Sequence, residues 1–271
     1  MFLRYDGTFE GFLTAAAAAL RAPPGVCLLR PDDPPPLLPV EEAPAEAGLA
    51  DRLGAYLAER LGPEVPATVY QAWLSGMPGV DDAIVGFLRI GLARRTDPSG
   101  LLQDPTVRTT VKAARRTGRE AHAYLGLVRF RLRGSLYFAE IEPDTDVLPL
   151  LGDHFAERFH DQTFAIHDLR RNRAVLHPAG GGWEIAAVGE GTHGEEGLDA
   201  RAGAAGAVAP VDGFEAMWRR YFDAMAIEER LNPGLQRNHM PKKRWRHLVE
   251  RPGAAQAASD ARRASGAPRR P

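Results

Sequence analysis

The sequence predicts an α+β fold, in which an antiparallel hairpin sheet packs against a helical block. Apolar residues recur at helical spacing through residues 49–124, whereas residues 127–144 alternate apolar and basic side chains with a period of two. The helical and hairpin segments are also separated along the chain rather than alternating with each other. We expect one domain over residues 1–250, followed by a disordered basic tail over residues 251–271.

The N-terminal segments are short and clearly delimited. FLRY at 2–5 predicts a strand, and DGTFEGFLTAAAAALRA at 6–22 predicts a helix that ends at the following prolines. GVCLLR at 25–30 predicts a second strand. Residues 31–48 are rich in proline and acidic side chains, and we expect them to form a loop.

The helical block divides into four segments. Asp104 is a suitable N-cap for the last of them, and Pro105 stands at its first helical position, where its missing N–H has no cost. Acidic residues in the first turn of the third segment and arginines in its last turn suit the helix dipole. The four segments are residues 49–62, 65–77, 79–95 and 104–126.

The C-terminal half predicts strands, with one short helix at 147–159. Gly134 and Ser135 are placed to turn the hairpin of residues 127–144. Two or three antiparallel strands are expected at 163–188, with turns at Arg171–Asn172 and Gly180–Gly182. A flexible Gly-rich loop at 189–210 and an amphipathic helix at 211–232 follow.

Composition excludes several classes of protein. The single cysteine, Cys27, leaves no intrachain disulfide and no zinc site built on paired thiolates. The longest strongly apolar run, residues 14–20, is far shorter than the roughly 20 residues that span a bilayer. Charged residues interrupt the N-terminus where a signal peptide needs an apolar core. We therefore expect a cytoplasmic protein.

Charge is distributed unevenly, although the net charge is only −1. Residues 31–66 hold eight acids against two arginines, and residues 101–140 hold eight bases against three acids. Residues 232–271 hold ten bases against two acids. Such segregation suits a polyanionic partner, and the alternative is a solvated surface with a basic tail.

Two basic regions predict contact with nucleic acid. The first comprises the helix that starts at Pro105 and the strand that follows, and the second is the segment RNHMPKKRWRHL near the C-terminus. Lysine and arginine neutralise phosphates, and Trp245 offers a face on which a base can stack. Alternatively, Trp245 and Leu248 pack on the core while the cations face water. The candidate residues are Arg108, Lys112, Arg115, Arg116, Arg119, Arg129, Arg131, Arg237, Lys242, Lys243, Arg244, Trp245 and Arg246.

A third region gathers carboxylates and imidazoles between residues 139 and 171. Such groups could hold a divalent metal, Mg²⁺ or Mn²⁺, or perform acid–base catalysis. However, no H-E-x-x-H, P-loop, G-x-S-x-G or G-x-G-x-x-G motif is present. In the structural alternative Asp144 caps the next helix and His167 is a hydrogen-bonded strand residue. The catalytic candidates are Glu142, Asp144, His154, His167 and Asp168.

Long segments of the chain resemble a bacterial family described as DNA metabolism or DNA repair proteins. The segments are YDGTFEGFL near the N-terminus, GREAHAYLGLVRFR and LYFAEIEPDTDVLPLLGDHFAERFHDQTFAIHDLRR in the middle, and WRRYFDAMAIEERLNPGLQRNHMPKKRWRHL near the C-terminus. The resemblance covers most of residues 2–250. It implies a module that accompanies a radical SAM DNA modification or repair protein, or is fused to a uracil-DNA glycosylase-like domain.

The resemblance implies a setting in DNA repair but no activity for the module itself. We favour an accessory DNA-binding module, in which the basic helix and strand form one surface and Trp245 or Tyr137 stacks on unpaired bases. The alternative from another class is a metal-dependent enzyme that acts on DNA or nucleotides through the five catalytic candidates. A third interpretation is a scaffold that docks the radical SAM partner through the acidic residues 31–66.

Overall fold

The structure, a computed structural model of the chain, describes residues 1–188 together with His247 and Leu248. The predicted loop at 189–210, the helix at 211–232 and the tail at 251–271 lie outside the described residues. The described chain divides into two compact units, of which the first comprises residues 1–120 and 144–147 and the second the described residues within 121–143 and from 148 onward. The expectation of a single domain over residues 1–250 therefore stays a prediction.

The first unit combines a three-stranded sheet with a helical block. Its strands lie in the order β2-β1-β3, and both pairings are parallel. The helix α5 belongs to this unit as far as Glu120. The elements are β1 (Phe2–Tyr5), α1 (Phe9–Arg21), β2 (Cys27–Leu29), β3 (Val40–Ala43), α2 (Ala47–Leu61), α3 (Glu64–Leu74), α4 (Val80–Arg94) and α5 (Pro105–Leu127).

The start of α1 shows how the sequence sets these elements. Gly7 takes a φ of 83°, a left-handed conformation that suits glycine, and turns the chain out of β1. The Thr8 hydroxyl then accepts a hydrogen bond from the Gly11 N–H at 3.0 Å, which caps the helix. The helix buries Phe12 and a run of alanines whose small side chains allow close packing in the core.

A partly buried ion pair lies within the first unit. The Arg30 guanidinium donates to both carboxylate oxygens of Asp81, from Nε at 2.9 Å and from NH2 at 2.7 Å. The Tyr5 hydroxyl donates to the same carboxylate at 2.8 Å and accepts from the Trp73 indole N–H at 3.0 Å. Burial and the neighbouring Asp81 charge raise the pKa of Tyr5. The network connects β1, α3 and α4 with the residue that follows β2.

The second unit is built on a five-stranded sheet in the order β4-β5-β6-β7-β8. The strands β5 and β6 are parallel and are joined through α6, whereas the other three pairings are antiparallel. Phe155 and Phe164 pack edge to face with Phe130, between α6 and one face of the sheet. The elements are β4 (Arg131–Arg133), β5 (Leu136–Ile141), α6 (Leu148–Arg158), β6 (Phe164–Asp168), β7 (Arg173–His177) and β8 (Glu184–Ala187).

A tryptophan packs α6 against the end of the sheet. The Trp183 ring covers Gly152 so closely that a Cβ there would lie 2.4 Å from ring carbons. The Trp183 indole N–H donates to the Asp153 carboxylate at 2.7 Å. Glycine at position 152 therefore makes room for the ring.

The mixed helix-and-strand fold is confirmed, with six helices and two sheets within residues 1–188. The prediction of a purely antiparallel sheet is wrong, because the first sheet is parallel and so is the β5–β6 pair. In both cases a helix separates paired strands, and such a crossover returns the chain in the same direction. The strand β3 also lies inside the predicted loop at 31–48, where its pairing with β1 overrides a composition that disfavours strands.

None of the helices within the described residues is long and apolar enough to cross a lipid bilayer.

Candidate nucleic-acid interface

The helix α5 separates apolar from basic side chains along its length. Asp104 caps it as predicted, since its carboxylate accepts the N–H groups of Thr106 and Val107 and the Thr106 hydroxyl. These hydrogen bonds lower the pKa of Asp104, and the one from the Thr106 hydroxyl has the largest effect. One side of the helix is fully packed: Val107, Thr110, Val111, Ala113, Ala114 and Thr117 are buried.

The opposite side of α5 carries five exposed cations, which we call the basic row. Three of the four steps between successive members are three or four residues long, and this spacing places the cations on one face of the helix. At about 1.5 Å of rise per residue, the row is roughly 16 Å long from its first to its last member. The basic row is Arg108, Lys112, Arg115, Arg116 and Arg119.

One member of the basic row is partly neutralised. The Arg116 guanidinium lies 3.7 Å from the Asp144 carboxylate, and both side chains are partly exposed. Among the residues that the structure describes, no ion pair within 4 Å engages the other four cations. Arg108 and Arg119 donate to nearby backbone carbonyls, which fixes their side chains and leaves their charge in place.

The Asp144 segment is fixed to α5 by a buried carboxylate. Glu120 is 6% exposed, and its oxygens accept the Asp144 N–H at 3.1 Å and the Thr145 N–H and hydroxyl at 2.8 Å. The hydrogen bonds that Glu120 accepts hold the Asp144 backbone in place, which explains why a carboxylate lies beside an otherwise basic helix face. The sequence suggested Asp144 as a catalytic residue or a helix cap, and in the structure it is the neighbour of Arg116.

The nucleic-acid candidates of the second unit, Arg129 and Arg131, lie just before and within β4, which is at the edge of the sheet among the described residues. Arg131 pairs in register with Phe138, and the Arg133 guanidinium carbon lies 4.7 Å from the centre of the Phe138 ring. Arg129 donates to the carbonyls of Gly126 and Val128 and so caps the C-terminal end of α5. A small open pocket at this edge is lined by Arg129, Arg131, Phe138, Glu140 and His247. That Arg129 and Arg131 share one surface with the basic row stays a prediction.

The histidine and aspartate of β6 do not converge. Neighbouring residues of a strand point to opposite faces of the sheet, so His167 and Asp168 cannot meet in one pocket. The His167 Nε2 atom lies 3.2 Å from the Asn172 side-chain oxygen, while the Asn172 amide donates to the Val188 carbonyl. His167 is thus a hydrogen-bonded strand residue, as the structural alternative expected.

Asp168 is completely buried and stabilises the turn that follows β6. Its carboxylate accepts the N–H groups of Arg170 and Arg171 and a 2.8 Å hydrogen bond from the Arg171 guanidinium. Arg171 also donates to the Pro143 carbonyl at 3.3 Å. The hydrogen bonds of Asp168 thus hold the backbone in a turn.

The remaining catalytic candidates each have a different described neighbour. Glu142 lies 3.5 Å from His247 Nε2, and Asp144 is the neighbour of Arg116. The His154 ring packs edge to face on Phe155 in α6. Within the described part of the chain, no group of three or more histidine, cysteine or acidic side chains is arranged to hold a metal ion. Among the described residues, the candidates therefore do not form a metal site of this kind.

The aromatic and C-terminal contacts predicted from the sequence can be compared with the described residues in part. Tyr137, proposed to stack on bases, is stacked on Phe159 beside α6 instead, with ring centroids 6.4 Å apart. Leu248 is buried, in keeping with the packing alternative for its segment. The six C-terminal candidates Arg237, Lys242, Lys243, Arg244, Trp245 and Arg246 lie outside the described residues.

Comparison with protein-family models gives a match over much of the chain. The model of a domain of unknown function, DUF4130, matches residues 78–250 and so covers more than half of the chain. The matched segment includes all of α5 and the second unit's sheet. Neither the curated proteins nor the solved structures include a match to the chain.

Proposed function

This chain belongs to the DUF4130 family, and we propose that it is an accessory DNA-binding module of DNA repair. The observation that carries the proposal is the basic row, which presents five exposed cations on one face of a helix whose other face is buried. A row of this kind supplies phosphate contacts without sequence reading, which is the part of DNA recognition that provides most non-specific affinity.

The resemblance to DNA repair proteins supplies the biological setting of the proposal. In this interpretation a radical SAM protein or a uracil-DNA glycosylase-like protein performs the chemistry, and the present chain holds the DNA. The metal-dependent alternative is not favoured, because His167 and Asp168 point to opposite sides of the sheet and both make structural hydrogen bonds.

The salt dependence of DNA binding tests the proposal. If the four cations without an ion-pair partner among the described residues each contact one phosphate, the slope of log K against log salt is about −3.6. A fourfold rise in salt then weakens binding roughly 150-fold. We expect Arg115→Ala to reduce the slope by about 0.9, and Arg116→Ala to reduce it by less because Asp144 already offsets its charge.

The measurement is a fluorescence anisotropy titration of the full chain with a labelled duplex at four salt concentrations. The matched control is Arg21→Ala, which removes an exposed cation from α1 rather than from α5 and is expected to leave the slope unchanged. Absence of binding at low salt contradicts the proposal, as does an equal loss of affinity in the Arg21 and Arg115 variants.

A further inference from the structure

We infer that the basic row binds double-stranded DNA in preference to single-stranded DNA. The inference rests on the proposed function and adds to it the class of nucleic acid. It depends on three properties of α5: the spacing of its cations, the rigidity of their support and the side chains that stand among them.

The spacing of the basic row matches the backbone of a duplex. The row is about 16 Å long, and a B-form strand rises about 3.4 Å per nucleotide along the duplex axis, so the row spans the axial length of roughly five nucleotides. Cations that are three or four residues apart are separated by about 4.5–6 Å along the helix axis. A row with a fixed spacing therefore suits phosphates that recur at fixed intervals.

The support of the basic row is rigid. Val107, Thr110 and Thr117, which lie on the opposite face, are completely buried. A Cβ at Gly86 of α4 would lie 2.8 Å from a carbon of Thr106, so α4 and α5 are in close contact near the start of the row. Because α5 is fixed in the core, its cations keep one spacing, and a flexible single strand must be ordered to match it whereas a duplex is already regular.

The row also lacks what single-strand binding requires. Proteins that hold single strands add aromatic faces on which the bases stack. Residues 105–120 contain no phenylalanine, tyrosine, tryptophan or histidine. Charge alone favours the duplex, whose denser phosphates release more counterions: about 0.9 per contact, against about 0.7 for a single strand.

The test compares the full chain's affinity for a labelled 20-base-pair duplex and for a labelled oligothymidine of 20 nucleotides under identical salt. We expect the duplex to bind at least about tenfold more tightly, with a salt slope near −3.6. The double variant Arg115→Ala/Arg119→Ala should make that slope shallower, at about −1.8. The double variant should reduce duplex affinity more than oligothymidine affinity, because each lost contact releases about 0.9 counterions on the duplex and about 0.7 on the single strand.

The outcomes separate the two proposals. If the single strand binds as tightly as the duplex or more tightly, the duplex inference is overturned while DNA binding itself stands. The same holds if the duplex binds more tightly but the double variant leaves its affinity unchanged, because the preference then arises elsewhere. If neither probe binds at low salt, both the inference and the proposed function fail.

Discussion

The buried pair of Arg30 and Asp81 provides a direct test of what holds the first unit together. Asp81→Asn keeps the shape of the side chain but removes its charge, and one amide N–H group then faces the guanidinium donors. Three hydrogen bonds of 2.7–2.9 Å converge on this carboxylate, two from Arg30 and one from the Tyr5 hydroxyl. The carboxylate cannot exchange these partners for water, because its side chain is only 8% exposed.

The size of the effect follows from burial. Removing one partner of a buried ion pair costs about 3–5 kcal/mol, because the other charge is left uncompensated. Arg30 is 28% exposed and keeps its 3.0 Å bond to the Trp73 carbonyl, which softens the loss. We therefore expect Asp81→Asn to lower the free energy of unfolding by about 2–4 kcal/mol.

The assay is urea unfolding followed by circular dichroism, with the slope m compared between variants to confirm that the same surface is exposed. The control is Arg52→Ala, which breaks a pair with Glu46 whose side chains are 68% and 64% exposed. Such surface pairs contribute about 0–1 kcal/mol. If both variants lose the same free energy, burial does not set the strength of these pairs and the reasoning is refuted.

Two further predictions concern single carboxylates, Asp144 beside the basic row and Asp82 in the first turn of α4. Asp144→Asn should release Arg116 for phosphate contact. We therefore expect the salt slope of DNA binding to become steeper by up to about 0.9, as measured by fluorescence anisotropy beside wild type. A shallower slope would contradict this prediction. Burial raises the pKa of Asp82 above its ordinary value of 3.8, so the folded chain retains this proton to higher pH than the unfolded chain. The contribution of Asp82 to the free energy of unfolding therefore falls as the pH rises from the ordinary pKa of the unfolded chain to the raised pKa of the folded chain. We expect the stability of Asp82→Asn relative to wild type to improve between about pH 3.5 and pH 7 in urea unfolding, and a constant difference would refute this.

Local signals predicted much of the fold. The boundaries of α1 and the cap at Asp104 follow from a few neighbouring residues, so periodicity and capping chemistry are sufficient to find them. The helical spacing of the cations in α5 likewise predicted that they share one exposed face. What local signals could not supply is strand direction, because it depends on which strands pair and on the helix between them.

Long-range partners were the other part that the sequence concealed. Asp81 was assigned only to the first turn of a helix, yet its main partner, Arg30, lies 51 positions away. Glu120 counted as one acid among many bases, whereas it holds the backbone 24 and 25 residues further on. The cluster of acids and histidines at 139–171 suggested convergence because its members are close in sequence, but strand alternation places its neighbours His167 and Asp168 on opposite faces of the sheet.

The same periodicity that makes α5 a helix also makes its charges a row. Each apolar residue turned toward the core forces the residues between them outward, and five of those are cations. The core contacts and the exposed charges are therefore borne by different residues of one rigid element. Truncating Arg115 removes charge from solvent and leaves Val111 and Ala114 packed, so a loss of DNA affinity in that variant reports lost phosphate contacts rather than a damaged fold.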